Sequence, residues 1–519
     1  METSQTTITV GVGPVAPAEV VAVARGGARV SLSDESLAAI DAGRRTIDAL
    51  AQDDRPHYGV STGFGALASR HIPPERRAQL QRSLIRSHAA GSGQEVEREV
   101  VRAMMLLRLS TMATGHTGVR RSTAAAYAEL LSAGLTPVVY EFGSLGCSGD
   151  LAPLAHCALA LMGEGDCRDV NGALLPSDEA LAGAGITPVQ LAEKEGLALI
   201  NGTDGMLGML LLALEDLRVL LTTADITAAM SVEGLLGTDA VFAADLQALR
   251  PQAGQEASAA NIRAVLAGSP IVASHRGPED PRVQDAYSLR CAPAVVGGAR
   301  DTVAHAAAVA ARELAAAIDN PVIAGAGDAV RVASNGNFHG APLGYVLDFL
   351  AIVAADVASI AERRTDRFLD PARSHGLPAF LAHDPGVDSG MMIAQYTQAS
   401  IVSELKRLAV PASVDSIPSS AMQEDHVSMG WSAARKLRRA VDGLARVLAV
   451  ELVVAARGVE LRAPVEPGPA AGAVLAALRG VVEGPGPDRY LAPDIEAAYE
   501  LVRGGGVVAA AEAITGPLA

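Results

Sequence analysis

The chain has 519 residues, with 42 Lys and Arg against 58 Asp and Glu. The resulting net charge of −16 argues against a nucleic-acid backbone as partner. Apolar residues make up 49% and aromatics only 3%, a balance that favours closely packed helices over sheets. The four cysteines, Cys147, Cys157, Cys167 and Cys291, have neither metal-ligand spacing nor the density of a disulfide framework, so a reducing compartment is expected. Met1-Glu2-Thr3-Ser4-Gln5 lacks the basic and apolar regions of a secretory leader. No uncharged apolar run reaches the roughly 18 residues of a membrane span; Leu207–Leu221 is interrupted by Glu215, Asp216 and Arg218. A cytoplasmic protein without a membrane partner is expected.

In chain order, Thr7-Ile8-Thr9-Val10 reads as a short strand before a helix that starts near Pro17. The intervening Gly11-Val12-Gly13-Pro14-Val15-Ala16 matches a dinucleotide-binding pattern, but Pro14 removes a backbone donor and no alternation of strands and helices follows. Ser33-Asp34-Glu35 opens a helix with Leu37, Ile40 and Ile47 on one face. Tyr58-Gly59-Val60-Ser61-Thr62-Gly63-Phe64-Gly65 is a glycine-rich loop around a phenol, a group able to act as acid or base. Pro73-Pro74-Glu75 opens a helix whose apolar face carries Leu80, Leu84 and then His88, just before Gly91. Two further helices are expected over about 95–113 and 122–133.

Pro137-Val138-Val139-Tyr140 reads as a strand leading into Gly143-Ser144-Leu145-Gly146-Cys147-Ser148-Gly149-Asp150-Leu151-Ala152-Pro153-Leu154, a sharp turn at a helix N-terminus. From about residue 196 five long helical patterns follow: about 204–236, 298–318, 343–368, 388–408 and 426–459. Met206-Leu207-Gly208-Met209-Leu210-Leu211-Leu212 is apolar all round and must be enclosed by other helices. The fold class expected is mainly α, a long central helical bundle shared between subunits, with a smaller mixed N-terminal domain. The division expected is 1–195, 196–465 and a peripheral helical segment, 466–519. Gln284, Tyr287 and Arg290 fall three apart between Pro281 and Pro293, on one face of a short helix. An arginine fork beside a phenol there suits a small carboxylate, or is an exposed polar stripe. Arg435, Lys436, Arg438 and Arg439 read as a solvated helix face. Gln423-Glu424-Asp425-His426 stands at the mouth of the last long helix, where acidic residues are stabilising for electrostatic reasons alone.

Taken together, these stretches resemble the histidine ammonia-lyases, within the family of phenylalanine and tyrosine ammonia-lyases and aminomutases. The resemblance is carried by Tyr58 to Gly65, Ser87-His88-Ala89-Ala90-Gly91, Gly143 to Leu154, Asn201-Gly202-Thr203, Gln284 to Arg290, Gly336-Asn337-Phe338-His339 and Gln423 to Met429. It implies a fumarase/aspartase-like helical bundle and a homotetramer whose sites combine loops from several subunits. It also implies that Cys147, Ser148 and Gly149 cyclise with loss of two waters to a methylidene-imidazolone (MIO), with no external cofactor and no metal. In that scheme the Gly149 nitrogen attacks the carbonyl of residue 147, and Ser148 supplies the methylidene.

The implied reaction is L-histidine to trans-urocanate and ammonia. By the same resemblance Tyr58 is the β-proton base and Arg290 with Tyr287 holds the substrate carboxylate. Asn201 and Gln284 orient MIO and substrate, Phe338 shapes the site, and His88 and Glu424 meet the imidazole. A polar Ser87-His88 pair and a carboxylate at Glu424 suit an imidazole better than a phenyl ring; a tyrosine ammonia-lyase or aminomutase is the alternative. Cys147 stands where alanine is more common; residue 147 lends only its carbonyl to the ring, so its side chain is expected to hang outside the ring and cyclisation to survive. Ser61, Asp204 and Met422 also depart from the commonest residues, Asp204 close to Asn201.

Overall fold

The computed structural model describes residues 6–53, 55–277, 283–325 and 327–519, and 59% of it is helical. The mainly α class expected from composition is the class observed. The chain forms two compact units, each built from three separated stretches: Met1–Leu212, Ala307–Leu347 and Pro411–Arg435, then Ala213–Ala306, Asp348–Val410 and Lys436–Ala519. Four of the five boundaries fall inside long helices, Asp204–Gly234, Ala292–Leu314, Ala341–Leu369 and Gly430–Glu460, and the fifth follows the helix Met392–Leu408. With Met392–Leu408 these are the five long patterns of the sequence, their ends moved by a few residues where caps and turns intervene.

In the first unit Thr7–Val10 pairs in parallel with Arg29–Leu32, and the helix Pro17–Ala24 makes the crossover. This sheet has two strands only, so the glycine pattern at Gly11 faces no doubly wound crevice. Ser33 caps the helix Asp34–Ala51 by accepting from the Ser36 amide at 3.1 Å. The helix expected from about residue 95 begins later. Ser92–Glu95 is a strand paired with Tyr140–Phe142, and the helix runs Arg98–Ala113. The strand expected over 137–140 likewise divides into Thr136–Pro137 and Tyr140–Phe142.

In the second unit the core is polar where the helices need fixing. Arg364 and Glu451 form an ion pair with both side chains fully buried, and Glu451 also accepts from Thr227 at 2.8 Å and Ser231 at 3.0 Å. One carboxylate therefore ties three helices with its acceptor sites filled, the condition under which burying it is tolerable. The stretches Glu195–Gly234 and Ala341–Leu369 hold apolar windows as long as a membrane span, and these windows are 94% and 61% buried in the fold, as core helices are. Three short helices, Pro469–Arg479, Ala492–Arg503 and Gly506–Thr515, complete this unit.

Two expectations need correction. Of the basic run only Arg439 is exposed, and the other three residues do not form a solvated face. Within the first unit Arg435 pairs with Glu97. Within the second, Lys436 meets Asp348 at 2.6 Å and Arg438 meets Asp216 at 2.7 Å, with the basic side chains only 18% and 11% exposed. The short helix near Arg290 spans only Tyr287–Arg290, so Gln284 precedes it and shares no turn with the other two; Pro281 lies outside the described residues.

The helix Leu151–Leu161 holds the end of the helix Pro74–His88 through His156, whose Nε2 accepts from the Gly91 amide at 3.1 Å. Its ring also packs edge-on against Tyr140, centroids 5.3 Å apart. That acceptor role needs an unprotonated Nε2, and burial lowers the His156 pKa from its ordinary 6.5. The unfolded chain then takes up the proton more readily, so this contribution is present above pH 6.5 and is lost as pH falls below it. Thermal melts from about pH 7.5 to about 5.5 should show a falling midpoint, and a shallower fall for His156→Gln, whose amide oxygen still accepts. Equal slopes in the two proteins would remove His156 from the account.

Candidate active site

The loop before the helix Leu151–Leu161 turns on three glycines with positive φ, Gly143 at 142°, Gly146 at 67° and Gly149 at 74°. At Gly149 conformation and space make the same demand, since a Cβ there would lie 2.1 Å from the Gly202 carbonyl oxygen. The next amide, Asp150 N, donates to that same oxygen at 2.7 Å. The Gly146 carbonyl accepts from the Gly340 amide at 2.9 Å and from Ser428 Oγ at 2.6 Å. Three stretches remote in sequence thus pin the loop.

Asp150 is fully buried and caps the helix Asp204–Gly234, accepting from the Gly205 and Met206 amides at 2.9 Å and from Ser144 Oγ at 3.0 Å. Burial pushes its carboxyl up to about 7, against the pull of the Met206 amide and the Ser144 hydroxyl. Helix Leu151–Leu161 begins at once after Asp150, which puts its positive end beside residues 147–149.

Tyr58, His88, Ser148, Asn201 and Glu424 line one cavity of about 470 Å³ in the first unit, together with Asn320 and Ser420. A larger cleft of about 890 Å³ in the same unit is lined by residues of Arg29–Leu32, of the helix Arg121–Ser132 and of the helix Ser177–Gly183. Of its charged residues, Arg29, Arg121, Glu129 and Glu179 are exposed and Asp169 is half-buried, and no histidine, tyrosine or cysteine lines it.

Each wall of the smaller cavity has a local cause. Val60, fully buried against Ile47 and Ile323, anchors the glycine-rich loop, and Tyr58 Oη accepts from the Gly65 amide at 3.2 Å. His88 ends its helix with Nδ1 2.9 Å from the Leu84 carbonyl. A carbonyl only accepts, so Nδ1 carries the proton and the neutral ring keeps Nε2 as an acceptor. Burial lowers the His88 pKa, more than Leu84 O and the charge of Glu424 raise it. Asn201 Nδ2 donates to the Ser148 carbonyl at 3.0 Å, while its buried Oδ1 has no hydrogen-bond partner among the described residues. Glu424 arrives on a strained turn in which Ser420, Ala421 and Met422 all take positive φ, at roughly 1–2 kcal/mol each. Backbone hydrogen bonds between Ser419 and Glu424 close that turn. The Glu424 carboxylate accepts from Ser148 Oγ at 2.8 Å and from Cys147 Sγ at 3.1 Å.

The Cys147 side chain is itself buried and meets Glu424. Phe338 is half-buried and is not among the lining residues of the cavity. Gln284, Tyr287 and Arg290 belong to the second unit. There Gln284 is exposed, Tyr287 is 71% exposed and the Arg290 guanidinium stacks 4.7 Å from the Tyr287 ring centroid. Sequence reasoning missed Asn320, Ser419 and Ser420; none carried a motif of its own.

It also missed the buried charges behind the site. Arg108, with no exposed side-chain surface, lies 3.4 Å from Asp204 and donates to the carbonyls of Asn201 at 2.9 Å and Ile318 at 2.8 Å. Lys194 and Asp319, both fully buried, pair at 2.5 Å. Asp204, marked in the sequence only for its departure from the family pattern, is thus the counter-ion of the arginine that holds the Asn201 carbonyl. Arg108→Met leaves Asp204 buried without its counter-ion and two carbonyls without a donor. It should lower the unfolding free energy by about 3–5 kcal/mol in denaturant titrations, and adding Asp204→Asn should recover part of that loss.

The aromatic amino acid lyase family model matches residues 15–480. The chain is 65% identical over 514 residues to a protein of Streptomyces avermitilis named histidine ammonia-lyase, covering 99% of this chain and 100% of that one. Among solved structures, a tyrosine aminomutase from Streptomyces globisporus superposes with a TM-score of 0.93 at 36% identity, covering 99% and 100% of the two chains. A histidine ammonia-lyase from Trypanosoma cruzi gives 0.90 at 36% identity, covering 98% and 96%. The chain belongs to the aromatic amino acid lyase family.

Proposed function

We propose that this chain is a histidine ammonia-lyase, a carbon–nitrogen lyase that converts L-histidine to trans-urocanate and ammonia. The observation that carries the reading is the Ser148 hydroxyl on the Glu424 carboxylate, in a cavity also lined by Tyr58, His88 and Asn201. The full-length identity to a histidine ammonia-lyase supports it. The aminomutase fold is equally similar, so discrimination rests on side chains. His88 and Glu424 are polar groups that an imidazole satisfies and that a phenyl ring would leave unpaired, at a cost of several powers of ten in selectivity.

Residues 147–149 suit closure to MIO. Gly149 has no room for a side chain, Asn201 Nδ2 holds the Ser148 carbonyl, and the partnerless Asn201 Oδ1 beside it offers an acceptor for a donor that the cavity receives. The prosthetic group supplies an electrophile strong enough to permit loss of ammonia next to a barely acidic carbon. The rest is done by side chains. Tyr58 takes the β-proton, Glu424 accepts from the imidazole N–H, and His88 lines the same cavity beside the ring. Gln284, Tyr287 and Arg290 complete the site from a neighbouring subunit of a homotetramer, with the Arg290 fork on the substrate carboxylate and Phe338 at its edge. The exposure of Gln284 and Tyr287 supports that role. A cytoplasmic setting, away from membranes and nucleic acids, fits the acidic balance and the four free cysteines.

Incubation with L-histidine should release urocanate, read by its ultraviolet absorbance; release from L-tyrosine alone would overturn the substrate. The intact mass should be two waters below the sequence mass, and Ser148→Ala should weigh its full sequence mass and release no urocanate. Arg290→Ala should lower kcat/KM by roughly 10² or more, and a loss of a few-fold would remove its carboxylate role.

A further inference from the structure

The Glu424 carboxylate has its donors divided between its two oxygens. Oε1 accepts from Ser148 Oγ at 2.8 Å, while Oε2 accepts from Cys147 Sγ at 3.1 Å and Ser419 Oγ at 3.2 Å. Ring closure removes the Ser148 hydroxyl as water. Oε1 then loses its donor and Oε2 keeps both, so the carboxylate stays fixed by one oxygen and open at the other. Glu424 lines the cavity with His88.

We infer that Cys147 is a positioning residue for substrate recognition: its thiol, with Ser419, holds Oε2 of Glu424 so that Oε1, vacated when the ring closes, meets the imidazole N–H. This rests on the histidine reading. Cys147 contributes its carbonyl to the ring, and its side chain keeps a task of its own. The thiol remains a donor, because burial pushes its pKa up to about 12, with the Glu424 hydrogen bond and charge adding to the rise. A proton held that firmly stays on sulfur, where it donates to Oε2. A thiol is a weak donor, so its loss should cost a modest factor, felt in binding before chemistry.

Cys147→Ala keeps the backbone that ring closure uses and deletes only the thiol. Its intact mass should still be two waters below its sequence mass. Its KM for L-histidine should rise about three- to tenfold, with kcat moving less, and Cys147→Ser, whose hydroxyl donates, should restore KM. A readout free of turnover uses Ser148→Ala, which lacks the hydroxyl on Oε1 as the closed ring does. Its dissociation constant for L-histidine by calorimetry should weaken by the same factor when Cys147→Ala is added. Unchanged KM and dissociation constant in the alanine variants, or a fall in kcat alone, would overturn the inference while leaving wild-type turnover intact. A wild-type protein that releases no urocanate would instead overturn the functional reading itself.

Discussion

Everything at the site depends on one backbone-to-backbone approach. Gly149 lies so close to the Gly202 carbonyl that a Cβ would be 2.1 Å from it, and the following amide donates to that carbonyl. Two loops some fifty residues apart are thereby locked with no side chain between them. Asn201, on one side of the contact, reaches the Ser148 carbonyl. Asp150, on the other, caps the helix that starts at Asp204. A side chain at Gly149 would separate the two loops, and one at Gly202 would strike Arg108 and Asp204 behind them.

Buried charge holds this contact in place. Arg108 fixes the Asn201 carbonyl from behind, with Asp204 as counter-ion, and its second carbonyl contact, at Ile318, leads into the segment whose Asn320 lines the cavity. Lys194 and Asp319 make a further buried pair in the same unit. Such pairs rarely add stability over apolar packing, but removing one partner leaves a bare charge in low dielectric. They make alternative placements of these loops expensive, which serves a site whose atoms must meet within fractions of an ångström. The strained turn before Glu424 has the same character: local backbone energy is given up to deliver one carboxylate.

Much of the fold was legible in the chain. The long helices announced themselves through apolar surfaces wide enough to demand enclosure, and the Ser33 cap was found where its residue type places it. The boundaries that failed are the ones set by long-range pairing. Ser92–Glu95 is a strand because Tyr140–Phe142 lies beside it, and no local propensity in Ser92-Gly93-Gln94-Glu95 predicts that partner. The basic run failed for the same kind of reason: whether Lys436 and Arg438 face water or Asp348 and Asp216 is decided by what folds against them.

The sequence by itself determined the chemistry on offer: a serine between a cysteine and a glycine at a helix start, a tyrosine in a glycine-rich loop, and a histidine and a glutamate in polar motifs. Covalent identity and local backbone preference are properties of short stretches, so they survive reading one stretch at a time. Only the tertiary structure decided which of these groups meet. It brought Glu424 onto Ser148 and Cys147 across almost 280 residues, and it turned Cys147 from a bystander into a donor. It also hid Arg108 behind Asn201. Hydrogen bonds and burial act over a few ångströms of space and take no account of distance along the chain.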